Sequence, residues 1–175
     1  MKLTLAHTEY EGKMNDADDI LRQVSKLIDM KKREDMEVAR EWPPEEYVVK
    51  RWVHQGLDCA ISAGPLGAFC GYVRVPEGHP DERLHYDDVD VSVHGGLTFR
   101  CKAKEGGSWF GFDCAHAGDF VPEVAKIVDN LSNINNKPSK VGDNKVWRQE
   151  EVEAETNLLA EQLADRDALS NMPNI

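Results

Sequence analysis

The chain has 175 residues, a formal net charge of −11 and a pI near 5.0. This length predicts one domain with a helical appendage, and a hydrophobic content of 41% supports one modest core rather than disorder. An acidic surface argues against general nucleic-acid binding, because phosphate groups repel it. No stretch approaches the roughly 18 apolar residues of a membrane span and no signal peptide is recognised, so we expect a cytoplasmic protein.

Residues 1–55 are predicted to form an N-terminal helical region, with a short strand over residues 2–5. Asn15 suits the N-cap of a helix that runs to about residue 32, since acidic residues follow it in the first turn. Apolar residues of this helix recur at helical spacing and form one stripe, which we expect to pack into the core. They are Ile20, Leu21, Val24, Leu27 and Ile28. A second helix over residues 34–40 and a short helix over residues 45–52 are expected to follow.

Residues 56–131 are predicted to form an α+β core domain, in which a central antiparallel sheet of about five strands is flanked by N- and C-terminal helices. A turn signal, Gly64-Pro65-Leu66-Gly67, predicts a hairpin between the first two of these strands. The expected strands are residues 57–62, 69–75, 89–94, 97–100 and 109–114. Asp119 is the expected N-cap of a helix over residues 120–131.

The polar composition of residues 132–145 predicts a linker or loop, and residues 146–175 are expected to form a C-terminal helix and tail. The helix is predicted over residues 150–167. Its apolar face contains Val152, Leu159 and Leu163, which we expect to contact the N-terminal helix or another subunit.

The stretch Asp87–Asp119 combines the clearest strand pattern with the densest set of reactive side chains. Val89, Val91 and Val93 alternate with polar residues, so the valines are expected to share one face of a strand. Turns that end the predicted strands carry acids and histidines. The side chains expected to meet at one end of the sheet are Asp90, His94, Asp113, His116 and Asp119.

These side chains suit either a metal site or acid–base catalysis. Asp, His and Cys are metal ligands, and the candidates are Asp87, Asp88, Asp90, His94, Asp113, Cys114, His116 and Asp119. The sequence contains no HExxH, paired CxxC or EF-hand pattern, so it does not favour any particular metal. His94 and His116 suit general acid–base roles, with Asp113 or Asp90 to orient one of them. The competing explanation is that these polar residues cap strand ends and turns.

The four cysteines are scattered, and we expect reduced thiols because no secretion signal accompanies them. A cross-strand pair between Cys59 and Cys70 is the alternative, which we do not favour. Cys114 suits a nucleophile if its thiolate is stabilised, although its alternation with Phe110 and Phe112 favours a buried core residue.

A third interpretation is a ligand pocket. Gly95 and Gly96 permit close backbone approach, Trp109 offers a flat surface, and Arg74, Arg100 and Lys102 supply cations on an acidic chain. Such a pocket suits a nucleotide-like ligand, although the chain has neither a P-loop nor a GxGxxG motif. The residues predicted to line it are His79, Asp88, His94, Gly95, Gly96, Trp109, Asp113 and His116.

Several blocks of the chain also carry a resemblance. The blocks are GYVRVP from Gly71, GHP from Gly78, HGGLTF from His94 and WFGFDCAHAGD from Trp109. In this order they resemble an uncharacterised family of short proteins encoded largely by phages and prophages. The resemblance covers residues 56–119 and the closing residues 158–163, and residues 1–50 lie outside it. Family members commonly carry two tryptophans where this chain has Trp109-Phe110.

The resemblance implies a viral accessory protein inside the host cell. The leading expectation is binding of a host factor, or sequestration of a nucleotide-like ligand, in counter-defence or host takeover. The alternative is a hydrolase, possibly metal-dependent, that acts on a nucleotide or phosphodiester. In that case His94 and His116 would be ligands or acid–base groups beside Asp113. A structural or assembly protein without a pocket is the third interpretation, and the question of homo-oligomers stays open.

Overall fold

A computed structural model describes residues 3–135 and 144–171 of the chain, with side chains over residues 18–131 and 144–171. The chain forms two compact units, residues 1–38 and 39–175. The first unit contains helix α1, Leu3–Glu37. The second contains β1 (Val48–His54), β2 (Leu57–Ala63), β3 (Phe69–Val75), β4 (Phe99–Lys102), β5 (Ser108–Asp113), α2 (Pro122–Asn135) and α3 (Gln149–Ser170).

Helix α1 is one continuous helix of 35 residues. The predicted strand over residues 2–5 is therefore wrong for Leu3–Leu5, and Lys2 lies outside the described residues. The predicted N-cap at Asn15 and the break near residue 32 are also wrong, because no proline precedes Pro43 and helical bonding passes through both points. The apolar stripe is exposed rather than packed into the core, since its five side chains are 46–66% exposed.

In the described part of the chain, five strands form one antiparallel sheet in the order β1-β2-β3-β5-β4, which confirms the α+β prediction. The predicted helix over residues 45–52 is wrong. Glu45–Tyr47 form a single 3-10 turn, and β1 then pairs with β2. The two strands are joined by Gln55 and Gly56, which both have positive φ and so fit the right-handed strand twist.

The predicted strand over residues 89–94 does not form. Its side chains alternate as expected, with Val89 buried and Asp90 exposed, but its backbone pairs with side chains of α3 instead of another strand. Gln162 accepts from Ser92 N at 2.7 Å and donates to Ser92 O at 3.0 Å. Glu155 accepts from His94 N at 2.6 Å. These bonds hold His94 against α3.

Helix α3 covers one face of the sheet and supplies buried residues such as Val152, Leu159 and Leu163. The expected partner of this helix was the N-terminal helix or another subunit, whereas its observed partner within the chain is the sheet. The opposite face carries a smaller buried cluster in which Trp42 stacks on Phe99 and meets the edge of Tyr72.

Helix α2 begins at Pro122, two residues after the predicted start, with the proline in its first turn as expected. It continues to Asn135, so the predicted linker over residues 132–145 is wrong for residues 132–135, and residues 136–143 lie outside the described part of the chain. All four cysteines are free thiols, so Cys59 and Cys70 do not form a disulfide. None of the helices within the described ranges combines the length and apolar character needed to cross a membrane.

Candidate functional site

Two histidines and one aspartate converge where β5, α2 and the segment before β4 meet. One ring nitrogen each from His94 and His116 and one carboxylate oxygen of Asp119 lie within 4.8 Å of one another. The two imidazole rings are 5.2 Å apart and nearly perpendicular. The sequence predicted that these three residues meet, and this geometry confirms their meeting.

The carboxylate of Asp119 is the centre of the cluster. Its Oδ2 accepts from His94 Nε2 at 2.8 Å and from His116 N at 2.9 Å, and its Oδ1 accepts from Trp147 Nε1 at 2.8 Å. The predicted role of Asp119 as the N-cap of the following helix is therefore wrong, because its side chain is turned back to the preceding residues. Helix α2 begins only three residues later.

The charge of Asp119 is stabilised although the residue is only 7% exposed. Burial acts to raise the pKa of this carboxyl, but the hydrogen bonds from His94, Trp147 and the His116 amide outweigh burial and hold the pKa below its usual value. Since an ionised carboxylate only accepts hydrogen bonds, His94 Nε2 carries a proton in this arrangement.

His116 has an unsatisfied nitrogen. Its Nδ1 is buried and lacks a hydrogen-bond partner, with Asp113 Oδ1 and Asp119 Oδ2 each 3.7 Å away. Such an orphaned buried nitrogen is unusual in proteins and indicates either strain or a ligand. Asp113 belongs to the edge of the site, because its Oδ1 accepts from Ala115 N and its Oδ2 accepts from Thr98.

The backbone of Gly95 lies directly against the His116 ring. A Cβ atom at Gly95 would be 2.2 Å from His116 Cε1, and the residue has a φ of +67°. Gly96 also has a positive φ but faces open space. The close approach expected for this glycine pair therefore occurs at Gly95 and fixes the position of the His116 ring.

A cavity of about 260 Å³ adjoins the cluster. His116, Asp119 and Val121 form part of its wall, and Val124 contributes from the first turn of α2. The positive end of a helix dipole favours anions. The cavity has room for a small anion or a phosphate group beside His116.

Other residues predicted for the site lie elsewhere. His79 is buried and uses both ring nitrogens internally, with Nε2 donating to Leu163 O at 2.9 Å and Nδ1 accepting from Asp81 N at 3.1 Å. Asp88 lies in an exposed 3-10 turn, Tyr86–Asp88. Asp90 does not join the cluster, and its carbonyl oxygen accepts from Arg166.

Trp109 lies on the opposite face of the sheet, where it contributes to a larger cavity of about 520 Å³. Trp42 and Pro43 form another part of the wall, and Arg51 and Arg74 lie at its polar side. Arg74 is bonded to Asp58, and Arg51 is bonded to Glu45. The other predicted cation, Arg100, is buried and donates to Glu82 O.

Three residues of the site were not predicted from the sequence: Trp147, Glu155 and Asn144. Trp147 follows Asp119 by 28 residues, and its ring lies 4.6 Å from the His94 ring. Asn144 donates to Asp119 O at 3.1 Å. No local pattern marks these residues, because backbone bonds between Lys145 and the residues around Asp119 bring their segment to the site.

Cys114 is buried beside Phe110 and Phe112, as the core interpretation predicted. Burial raises the pKa of its thiol to about 12, which does not suit the nucleophile interpretation because the thiolate is the reactive form.

Comparisons with models of protein families, with curated proteins and with solved structures find no match to this chain.

Proposed function

We propose that the protein binds a divalent transition-metal ion through His94, His116 and Asp119 and acts as a metal-dependent hydrolase on a phosphoester of a nucleotide-like molecule. The observation that carries this proposal is the convergence of two imidazole nitrogens and a buried, ionised carboxylate within 4.8 Å, with His116 Nδ1 unpartnered. Imidazole and carboxylate ligands suit zinc and neighbouring first-row metals.

Three protein ligands favour a catalytic rather than a purely structural ion. Structural zinc sites close with four protein ligands, whereas catalytic sites keep one position for water or substrate. A bound ion of this class lowers the pKa of its water and polarises a phosphoryl oxygen. The adjacent cavity, with the first turn of α2 in its wall, supports a phosphate-bearing substrate.

The protein's own residues would prepare the site. Trp147 holds one oxygen of Asp119 and leaves the other directed at the histidines. A bound ion would be held by His94 as a neutral imidazole, with its ring proton on the nitrogen that does not face the ion, and by Asp119 as a carboxylate; protons compete with the ion for both groups. Affinity should consequently fall as the pH falls.

The test is calorimetric titration of the purified protein with Zn²⁺ and Mn²⁺, followed by turnover of bis-p-nitrophenyl phosphate. His116→Gln removes a ligand without breaking a side-chain hydrogen bond, and it should abolish stoichiometric binding. His54→Gln is the matched control, because His54 pairs with Glu161 at 2.9 Å on the surface. Equal metal binding by wild type and His116→Gln would reject the site. Binding without turnover would reject the hydrolase.

The larger cavity favours a second candidate, capture of a nucleotide-like ligand without turnover. Its volume lies in the range of small-molecule pockets, and Trp42 and Trp109 offer aromatic surface. Because Arg51 and Arg74 are already paired with carboxylates, the cavity suits the base of such a ligand better than its phosphates. In the setting that the phage resemblance implies, capture or hydrolysis of such a molecule would counter a host signal.

Val53 and Val49 provide a matched test of this candidate. Both are exposed residues of β1, but only Val53 lines the cavity. Val53→Trp should remove the thermal stabilisation that a bound nucleoside or nucleotide produces, and Val49→Trp should retain it. No stabilisation of the wild type by any nucleoside, mononucleotide or cyclic dinucleotide would reject capture at this cavity.

A further inference from the structure

Helix α1 exposes an apolar stripe that no described part of its own unit covers. The stripe follows the spacing of three and four residues that places side chains on one helical face. Its members are Ile20, Leu21, Val24, Leu27 and Ile28, with exposed fractions between 46% and 66%. Contiguous exposed apolar surface of this kind marks an interaction site.

Acidic and basic residues are distributed unevenly between the two halves of α1. From the sequence, residues 3–19 contain five acids and one lysine, which leaves a charge of −4. Residues 22–37 contain five bases and four acids, which leaves +1, and all five bases lie between residues 22 and 33. The boundary between these segments, at Ile20 and Leu21, lies at the middle of Leu3–Glu37. The acidic half therefore repels a second acidic half, whereas the basic half, which is weakly positive overall, attracts it.

We infer that α1 is a self-association element that pairs with α1 of a second copy in antiparallel orientation. In this arrangement the apolar centre of each helix faces the same centre of the other, and each acidic half faces a basic half. A parallel pair would place like charges side by side along the helix. Charges beside an apolar seam set the orientation of paired helices in this way.

Lys31 and Asp35 give a second reason to reject the parallel pair. They continue the apolar stripe at the same spacing and form an i,i+4 ion pair at 3.2 Å. In a parallel, aligned pair, Lys31 would face Lys31 of the second copy and Asp35 would face Asp35 of the second copy, both within the apolar stripe. In the antiparallel pair centred between residues 20 and 21, Lys31 is level with Tyr10 of the second copy, and like charges do not meet.

The first experiment is sedimentation of the full chain between 1 and 100 µM. We expect a dimer of about twice the chain mass of 19.7 kDa. Leu21→Glu places a charge on the seam and should lower the association constant at least tenfold. Met30→Glu is the matched control, since Met30 is 52% exposed and lies off the stripe. A wild type that stays monomeric, or equal effects of the two variants, would overturn the inference.

The second experiment measures orientation. A single spin label at Glu34→Cys, with Cys70→Ser to remove the partly exposed native thiol, reports the distance between copies. With a rise of 1.5 Å per residue, antiparallel helices place the two labels about 40 Å apart, whereas parallel helices place them within about 15 Å. A short distance would overturn the antiparallel pair. A dimer whose label distance is unchanged by Leu21→Glu would show that another surface mediates association.

Discussion

His94 Nε2 lies 2.8 Å from Asp119 Oδ2, although 25 residues separate them in the chain. The same carboxylate accepts from the indole of Trp147, so three segments of the second unit meet at one buried charge. This contact has consequences for stability, for ligand binding and for the pH at which the site is intact.

Asp119→Asn should destabilise the protein by about 1–3 kcal/mol at pH 7, because the carboxylate's donors lose a charged acceptor. The folded state holds the pKa of Asp119 below its usual value of 3.8. The stabilisation is therefore fully present above that value and is lost as the pH falls through the lowered pKa. Denaturant unfolding at a series of pH values should show the two proteins converging below about pH 4. A difference that persists to pH 2 would mean that the charge of Asp119 is not responsible.

Substitution of the two neighbouring glycines should separate backbone strain from the contact with His116. Gly96→Ala should lower the free energy of unfolding by about 1–2 kcal/mol, because it adds only the strain of an alanine at positive φ. Gly95→Ala adds a clash with the His116 ring and should cost on the order of 3 kcal/mol in total. Thermal unfolding measures both effects, and metal titration should show a loss of binding only for Gly95→Ala. Equal behaviour of the two variants would show that Gly95 does not position the ring.

The ion pair between Asp81 and Arg166 is predicted to be essential for stability. Asp81 is 1% exposed, and Arg166 Nη2 lies 2.8 Å from its Oδ1. Arg166→Met leaves a buried carboxylate without its cation and should cost about 3 kcal/mol, measured by urea unfolding. Adding Asp81→Asn to this variant should restore part of the loss.

A surface pair provides the control for this prediction. Lys104 and Glu41 are 2.7 Å apart, and both side chains are more than 60% exposed. Lys104→Met should leave the unfolding midpoint unchanged, because exposed pairs contribute little. A comparable loss in Lys104→Met and Arg166→Met would contradict the importance of burial.

One thiol should react in the native protein at pH 8. Burial raises the pKa values of the Cys59, Cys101 and Cys114 thiols to about 12, so few thiolates exist there. Burial also raises the pKa of the Cys70 thiol, but Cys70 is the partly exposed cysteine and is the one that a reagent can reach. Titration with a thiol reagent should find one rapid equivalent, which Cys70→Ser removes, and four equivalents after unfolding. Rapid labelling of Cys114 would restore the nucleophile interpretation.

The sequence predicted the side-chain faces of residues 89–94 correctly but their hydrogen bonds wrongly. Alternation reports which side chains are buried, and both a strand and an extended segment against a helix bury alternate residues. The choice between them was made by Gln162 and Glu155, which bond the backbone of the segment across 70 and 61 residues of chain. No local pattern contains that information.

The site, too, was predicted in part from local patterns and decided in part by contacts between distant segments. His94, His116 and Asp119 were predicted to meet because turns end the neighbouring strand patterns. Asp90 was predicted to join them but lies elsewhere on the same segment, where its carbonyl oxygen accepts from Arg166 of α3. Trp147 was missed because nothing in its surroundings indicates that its indole reaches Asp119.

The sequence by itself determined the α+β class, most strand positions, the helical periodicity of α1 and α3, and the reactive residues of the site. These properties follow from spacing and residue type, which act over a few residues. The tertiary structure decided which elements pair, which apolar stripe is covered and which acid joins the histidines. Those outcomes depend on contacts between distant segments, where many arrangements satisfy the same local pattern and packing selects one.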